Sequence, residues 1–260
     1  LGNTTYYSSP KQVGALTTWA KLPTSAFGYG QILAIKTDGT LWAWGRNNNG
    51  QLGLGNTTYY SSPKQVGALT NWAQISTGAW FTIAVKTDGT LWSWGKGRYG
   101  VLGLGNTTYY SSPKQIGALT AWATTACGES FVIAVKTNGT LWGWGQNAFG
   151  NLGLNNTTYY SSPKQIGALT TWVNPACGTY HTLATKTDGT LWSWGYNYQG
   201  QLGLGTTTQY YSSPKQIGAL TTWSSPSACS NASLATKTDG TLWSWGFNIY
   251  GGLGLGDTAN

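Results

Sequence analysis

A repeat of about fifty residues runs through the whole 260-residue chain. The segment Leu-Gly-Asn-Thr-Thr-Tyr-Tyr-Ser-Ser-Pro-Lys-Gln begins at Leu1 and returns at Leu54, Leu104, Leu154 and, in altered form, Leu204. The five units span residues 1–53, 54–103, 104–153, 154–203 and 204–254, and residues 255–260 repeat the opening of the first unit. Because units of this length bury their apolar faces only by stacking on neighbours, the repeat predicts one domain over residues 1–260.

Each unit has the pattern of four short β-strands. Runs such as Ile32–Lys36 and Thr40–Gly45 flank an Asp-Gly turn, which is a strong signal for a hairpin. The stretch after Trp72 predicts a further strand, and Ser62–Val66 predicts a fourth, whose proline places it at a sheet edge. Four short strands per unit, without helical periodicity, predict an all-β, five-bladed β-propeller with four antiparallel strands per blade.

The order of the strands also bears on how the propeller closes. Ser9–Val13 has no hairpin before it, and the hairpin at Leu234–Gly246 has no outer strand after it. We therefore expect the N-terminal strand to complete the last blade, which would remove two free sheet edges. An open arc of blades, or two chains that share blades, is the alternative.

The hairpin and its flanks carry a family resemblance. The motif Ala-x-Lys-Thr-Asp-Gly-Thr-Leu-Trp-x-Trp-Gly, followed by Asn-x-x-Gly-x-Leu-Gly and Ser-Pro-x-Gln-Val/Ile, resembles the repeat of the regulator of chromosome condensation family. The resemblance covers every unit and implies a β-propeller that acts in nucleotide exchange on a small GTPase and in chromatin binding. The chain departs from the family pattern, because Gly-x-x-His-Thr occurs only at Gly178–Thr182 and members usually have seven repeats. The exchange activity depends on a protruding hairpin and tails, whereas the largest insertion here is three residues near Leu22–Ser25.

Aromatic residues recur at fixed positions. Fifteen of the sixteen tryptophans occupy three positions per unit, for example Trp72, Trp92 and Trp94, where they are expected to pack between blades. Trp80 is the exception and is a candidate surface contact. In each tyrosine pair, such as Tyr59 and Tyr60, one member is expected to point outward because neighbouring strand residues face opposite sides.

Groups for acid–base chemistry are scarce. His181 is the only histidine and Glu129 the only glutamate. Cys127, Cys177 and Cys229 are expected to be small buried residues at equivalent sites in three blades. Because general acid–base catalysis needs a pair of groups with separated pKa values, the sequence predicts no catalytic residues and no cofactor. A hydrolase is the weighed alternative.

The turn aspartates do not indicate a metal site. They recur at Asp38, Asp88, Asp188 and Asp239, but the third unit has Asn138, so the turn geometry and not the charge is required there. Calcium takes six to eight oxygen ligands, which one carboxylate per hairpin does not supply.

The charge of the chain is positive but dispersed. The formal net charge is +8, and charged residues make up 8% of the chain. Most of the lysines lie at repeat positions around the ring, and only Lys96–Tyr99 forms a small cluster. Because nucleic-acid binders concentrate their charge in a patch, we predict no specific nucleic-acid partner. The longest apolar run is Phe131–Val135, so we also predict no membrane insertion.

Differences between the copies concentrate in the loop after Trp-Gly and in the stretch before the hairpin. Loops rich in Asn, Tyr, Phe and Arg on a rigid scaffold are typical of binding surfaces, although relaxed constraint after duplication gives the same variation. The candidate ligand-binding residues are Arg46, Asn48, Trp80, Lys96, Arg98, Tyr99, Asn147, Phe149, Tyr196, Tyr198, Phe247 and Tyr250.

The sequence thus predicts a non-enzymatic binding or structural propeller. The expected partner is a cell-surface glycan, in a lectin-like mode, or the other subunits of a larger assembly. The repeats also resemble those of tail or fibre-like structural proteins of marine bacterial viruses, which implies an extracellular or virion-surface location. The alternatives are an inert structural ring and a guanine-nucleotide-exchange or chromatin-binding propeller.

Overall fold

The computed structural model describes residues 4–15, 17–25, 27–118 and 120–258, and these residues form nineteen β-strands in five antiparallel sheets. Four sheets have four strands in chain order, and the fifth has three. The first two sheets contain β1 (Trp19–Lys21), β2 (Gln31–Lys36), β3 (Leu41–Gly45), β4 (Tyr60–Gln65), β5 (Trp72–Thr77), β6 (Phe81–Lys86), β7 (Leu91–Gly95) and β8 (Tyr110–Gln115). The other three contain β9 (Trp122–Cys127), β10 (Phe131–Lys136), β11 (Leu141–Gly145), β12 (Tyr160–Gln165), β13 (Trp172–Cys177), β14 (His181–Lys186), β15 (Leu191–Tyr196), β16 (Tyr210–Gln216), β17 (Trp223–Ala228), β18 (Ala232–Lys237) and β19 (Leu242–Gly246). The predicted all-β, five-bladed architecture is confirmed.

Helical structure within the described ranges is limited to one 3-10 turn, Arg98–Gly100. No helix there is long and apolar enough to cross a membrane.

The hairpin turn between the second and third strands is held by its own side chains. Asp88 Oδ1 accepts hydrogen bonds from the backbone N–H of Thr90 at 2.9 Å and from its hydroxyl at 2.7 Å. These two bonds from Thr90, the hydroxyl bond first, keep the pKa of Asp88 below its usual value. Asn138 makes the same two contacts with Thr140, so the position requires an oxygen acceptor and not a charge.

The core consists of four hydrophobic clusters, each of which lies between two consecutive sheets. In the cluster between the first and second sheets, Leu41 and Leu52 pack against Trp72 and Trp94. We call the side of a blade that packs on the following blade its trailing face and the opposite side its leading face. Leucines therefore line the trailing faces, and tryptophans line the leading faces, as the spacing of the tryptophans predicts.

Each leading face also holds one lysine among its tryptophans. The ring of Trp72 contacts the rings of Trp92 and Trp94 at centroid distances of 6.2 and 5.9 Å. Lys86 Nζ lies 3.8 Å from the ring centroid of Trp92 and 4.9 Å from that of Trp72. The hairpin lysines thus make cation–π contacts with tryptophans of their own blade, and burial lowers the pKa of Lys86.

The insertion in the first unit enters the centre of the propeller. The backbone N–H groups of Thr24, Phe27 and Tyr29 donate in parallel to the inner strand of the second blade and the residues after it, for example from Thr24 N to Ile75 O at 2.9 Å. Ser25 Oγ also accepts a hydrogen bond from Cys127 N of the third blade. A central cavity of about 560 Å³ remains between this segment and the inner strands of the last two blades.

The N-terminal strand does not complete the last blade, so that expectation is wrong. Among the described residues, β17, β18 and β19 form a sheet of only three strands, and residues 4–15 contain no strand. Leu242 is 66% exposed, whereas its equivalents Leu41, Leu91, Leu141 and Leu191 are fully buried. On the first blade, Ile32 is 47% exposed, whereas Thr82, Val132, Thr182 and Ser233 are fully buried. The five blades therefore form an open arc with an uncovered face at each end.

Candidate functional site

Both variable stretches of the repeat lie at one end of the blades. In an antiparallel sheet whose strands follow in chain order, the connection from the first strand to the second and that from the third to the fourth emerge at the same end. These connections carry Trp80 and the loop after Trp-Gly, and the Asp-Gly hairpins emerge at the opposite end. We call the end with the variable loops the variable face.

Trp80 is the centre of one cluster on the variable face. Its half-buried ring lies 5.0 Å from the ring of Tyr29, measured between centroids. Arg46 Cζ lies 4.4 Å from the centroid of the Trp80 ring, and Lys96 Nζ lies 5.7 Å from it. Four variable stretches thus bring two cations and two aromatic rings together, and three of these four residues are predicted site residues.

A cavity of about 160 Å³ adjoins this cluster. Trp80, Lys96, Tyr99, Glu129 and Tyr180 contribute to its lining. Burial, followed by the hydrogen bond and the negative charge of Glu129, raises the pKa of Tyr180 to about 12. Tyr180 therefore stays neutral at physiological pH and donates its proton to Glu129, so the cavity combines this hydrogen-bonded pair with the cationic side chain of Lys96.

Tyr99 shapes the edge of the cavity. Its backbone has a φ of 64°, which is a left-handed conformation that large side chains rarely adopt. The ring is held by the guanidinium of Arg98, 4.5 Å from its centroid, and by the ring of Tyr159 at 5.4 Å. Such strained residues are found preferentially at binding sites.

A second aromatic cluster lies on the third and fourth blades. The ring of Phe149 contacts those of Tyr180 and Tyr196 at 5.2 and 4.9 Å, and Tyr196 contacts the half-exposed Tyr198 at 5.2 Å. Because Tyr180 also lines the cavity beside Trp80, the two clusters form one continuous surface. Phe247 and Tyr250 pair with each other at 6.0 Å on the last blade, and no contact joins them to this surface among the described residues.

The two asparagines among the predicted site residues differ in their exposure. Asn48 is exposed and accepts a hydrogen bond of 3.1 Å from Arg46 Nε. Asn147 is fully buried, donates to Asn156 O and accepts from Leu152 N, so its amide holds the loop together. The amide of Asn147 thus has a structural role, and its contact with a ligand stays a prediction.

Four residues of this surface are absent from the predicted set: Tyr29, Glu129, Tyr159 and Tyr180. The sequence contains a signal for three of them, since Tyr29, Glu129 and Tyr180 stand in the variable stretch before the hairpin. Tyr159 belongs to the tyrosine pair, in which one member points outward as predicted: Tyr59, Tyr109, Tyr159 and Tyr210 are exposed, and their partners are half-buried.

His181 lies in the interior of the protein. It is fully buried between the last two blades, and its Nε2 lies 2.9 Å from Ser233 Oγ. Burial lowers its pKa to about 3, so the imidazole is neutral at physiological pH.

The cysteines are free thiols. Cys127 and Cys177 are buried, as expected, and burial raises the pKa of each. Cys229 is exposed beside the central cavity, and the strand register aligns Ala228 rather than Cys229 with Cys177. The expectation of three equivalent buried sites therefore holds for two of the cysteines.

Comparison with known proteins agrees with this architecture. The RCC1-like domain model matches residues 1–260. Mouse protein RCC2 is 49% identical over 39 residues, which are 15% of this chain and 8% of that protein. The solved structure of yeast RCC1 (Prp20) bound to Kap60 is 22% identical over 89% of this chain and 57% of its own, with a TM-score of 0.79. Human WBSCR16 is 23% identical over 90% of this chain and 63% of its own, also with a TM-score of 0.79.

A further structure, Prp20p from Saccharomyces cerevisiae, described with its binding to Gsp1p and histones, has a TM-score of 0.78 at 22% identity over 88% of this chain and 58% of its own. At these identities the structural likeness shows the fold alone, and the chain spans about three fifths of each solved chain. The match of the family model over residues 1–260 shows that the chain belongs to the RCC1-like domain family.

Proposed function

We propose that this propeller is a non-enzymatic binding module whose variable face recognises an anionic carbohydrate on a cell surface. The observation that carries the proposal is the clustering of cations around Trp80 on a surface that continues into the rings of Phe149 and Tyr196. Aromatic faces pack on the apolar faces of sugar rings, and guanidinium groups bind carboxylate or sulfate groups in a bidentate manner.

Each part of the surface has a role in this proposal. The 160 Å³ cavity offers the ammonium of Lys96 as a donor and the hydroxyl oxygen of Tyr180, whose proton goes to Glu129, as an acceptor for the polar groups of one sugar unit. The Phe149 cluster lies beside it and provides a platform for a neighbouring unit. An extended glycan would therefore cross from the second blade to the fourth. Such a ligand implies an extracellular protein or one on a virion surface.

A screen of the purified chain against a glycan array and intact bacterial cells, at low and physiological salt, tests the proposal. We expect binding to a defined set of anionic glycans that persists at physiological salt. Trp80→Ala and Tyr196→Ala should each weaken it at least tenfold, since each removes a stacking surface, which corresponds to about 1.4 kcal/mol. Leu169→Ala is the matched control, because Leu169 is exposed on the opposite end of the blades.

The charged groups are tested in the same screen. Arg46→Ala should weaken binding and reduce its dependence on salt, whereas Lys164→Ala on the outer strand of the third blade should leave it unchanged. Binding that disappears at physiological salt, or no binding to any glycan, would overturn the carbohydrate proposal and favour a structural propeller.

A protein partner is the competing function, because the yeast relative Prp20p is described as binding Gsp1p and histones. Histones are basic, and this chain carries a net charge of +8, so electrostatics disfavours that particular partner. Histone binding by the wild type, lost in Trp80→Ala and without any glycan signal, would replace the carbohydrate with a protein ligand at the same surface.

A further inference from the structure

We propose that a cavity between the third and fourth blades binds a small uncharged molecule that has an apolar ring and a hydrogen-bond acceptor. We call it the lateral cavity, because residues near the outer strands β12 and β16 line it. Both blades have a neighbour on each side, and the proposal does not depend on the ligand of the variable face.

The lining of the lateral cavity is mostly apolar. The cavity has a volume of about 410 Å³, and its apolar lining consists of Leu154, Ile166, Leu169, Trp172, Trp192 and Pro214. None of the described residues that line it is charged, and Lys186, which lies against both indole rings, is not part of the lining. Because a charged group would lose its hydration here without gaining a partner, the lining fits an uncharged ligand with an apolar ring.

One of the two tryptophans in the lining has a buried donor without an acceptor. Trp172 is 2% exposed, and its Nε1 has no hydrogen-bond partner within the part of the chain that the structure describes. Trp192, by contrast, donates its indole N–H to Thr190 Oγ1 at 2.9 Å. Since an unpaired buried N–H is unfavourable, a ligand with a carbonyl oxygen would gain affinity by accepting this proton.

Asn155 distinguishes the lateral cavity from the equivalent places in the other units. The equivalent residues are glycines with a φ between 70° and 84°, namely Gly55, Gly105, Gly205 and Gly256. Asn155 keeps this left-handed conformation, with a φ of 59°, and its backbone N–H donates to Ser212 O at 2.7 Å. Asparagine is one of the few residues other than glycine that tolerate such a φ, so the substitution adds an amide to the lining without changing the backbone.

The amide of Asn155 has no role in holding the fold together. Its side chain is exposed and makes no hydrogen bond to any residue in the described ranges. Gln165, the other amide of the lining, donates to Gly167 O at 3.0 Å. Asn155 is therefore the residue that determines specificity in the proposal: it binds a polar group of the ligand, while the ring of the ligand packs on Trp172 and Leu154.

The contact between the second and third blades provides an internal comparison. Every residue that lines the lateral cavity has an identical equivalent there, except that Gly105 stands in place of Asn155. Trp122 is also buried, and its Nε1 likewise has no acceptor among the described residues. A Cβ on Gly105 would meet nothing within 4 Å, so an asparagine side chain has space at this position. The proposal therefore predicts that Gly105→Asn creates a second binding site.

The first test is an NMR titration of the full chain with coumarin, a neutral bicyclic lactone, followed at the indole N–H resonances. Trp172→Phe identifies the resonance of Trp172. We expect this resonance to move downfield and saturate, because the coumarin carbonyl accepts the unpaired proton. Methyl α-D-glucopyranoside and benzoate test a polar and an anionic ring, and neither should move it. An equal, saturable shift with either of them would overturn the assigned class of ligand.

Matched variants test the role of Asn155 in the same titration. Asn155→Gly restores the residue of the other units, so the variant should fold, and it should weaken coumarin binding about twofold to tenfold through the loss of one hydrogen bond. Gly105→Asn should add a saturable shift of the Trp122 resonance. Gly240→Asn, at a glycine with a φ of 83° on the last blade, is the control and should leave the titration unchanged. No saturable shift of Trp172 with coumarin, or unchanged binding in Asn155→Gly, would overturn the proposal.

Discussion

The indole Nε1 of Trp94 donates a hydrogen bond of 2.9 Å to the backbone carbonyl oxygen of Gln51 in the preceding blade. Every later blade repeats this bond, through the pairs Trp144 and Val101, Trp194 and Asn151, and Trp245 and Gln201. The bonds fix the register of neighbouring blades, because each buried carbonyl in the loop needs a donor that the neighbour provides.

The interfaces differ in how many donors they supply, which leads to a first prediction. Asn151 O also accepts from the hydroxyl of Thr182, whereas Val132 at the equivalent position offers no donor to Val101 O. Trp144→Phe should therefore leave a buried carbonyl unpaired and lower the free energy of unfolding by about 1–3 kcal/mol more than Trp194→Phe does. Urea denaturation of the two variants measures the difference, and equal losses would contradict this account of the interface.

A second prediction concerns the close approach of the loop at Gly203 to the indole ring of Trp245. A Cβ on Gly203 would lie 2.8 Å from Trp245 Nε1, whereas a Cβ on Gly254, the equivalent residue of the last unit, would meet nothing within 4 Å. Both glycines have a positive φ, of 67° and 71°. Gly254→Ala should therefore cost only the left-handed strain of about 1–2 kcal/mol, and Gly203→Ala should cost a further 1–3 kcal/mol.

Thermal unfolding at a concentration where the chain is monomeric compares the two alanine variants. The comparison also reports on the shape of the molecule. If Gly254→Ala were as destabilising as Gly203→Ala, a blade would have to pack against Gly254, as in a ring closed within one chain.

The repeat predicts the blades and their order, but it does not predict the closure of the ring. The pattern gives Leu242 and Val13 the sequence positions of partners in one sheet, but the structure does not pair them. Whether the ends of one chain meet depends on the angle between blades, which the packing of residues such as Trp94 and Leu41 sets. The angle between blades results from side-chain packing in three dimensions, so it could not be predicted from the sequence pattern.

The candidate site, too, can be predicted only in part from the sequence. Variation among the copies locates Arg46, Trp80 and Lys96, and the structure brings these three together. Asn147 is a candidate because the surrounding loop varies, but an asparagine recurs at this position as Asn47, Asn197 and Asn248. Recurrence at a variable loop is the signature of a structural residue, and each of these amides accepts from a leucine N–H five residues later.

A third prediction follows from the natural variation in the hairpin turn. Asp188 accepts from the N–H and the hydroxyl of Thr190, and Asn138 makes the same contacts without a charge. Asp188→Asn should therefore leave the melting temperature nearly unchanged, whereas Asp188→Ala should lower it by roughly 2–4 °C, because both acceptor contacts are lost. Calorimetry on the two variants measures this, and a large loss in Asp188→Asn would show that the charge matters.

The last prediction concerns the pH dependence of stability, to which His181 makes a specific contribution. Its pKa is about 3 in the folded chain because the ring is buried, and about 6.5 when the chain is unfolded. Between these values the unfolded state binds a proton that the folded state does not, so stability falls as the pH is lowered from 6.5 towards 3, by at most about 1.4 kcal/mol per pH unit. Above pH 6.5 the residue contributes no pH dependence.

His181→Phe should remove this part of the dependence of the unfolding free energy on pH, because phenylalanine does not titrate. The variant should fold, since phenylalanine occupies the equivalent position in two other blades, as Phe81 and Phe131. Ser233 Oγ keeps its hydrogen bond to Gln201 O in the variant, so no hydroxyl loses its acceptor. Phe131→His is the converse variant and should add a similar slope at another interface. Urea denaturation at pH 7, 6, 5 and 4 compares the three proteins, and an unchanged slope in His181→Phe would show that other groups control the loss of stability in acid.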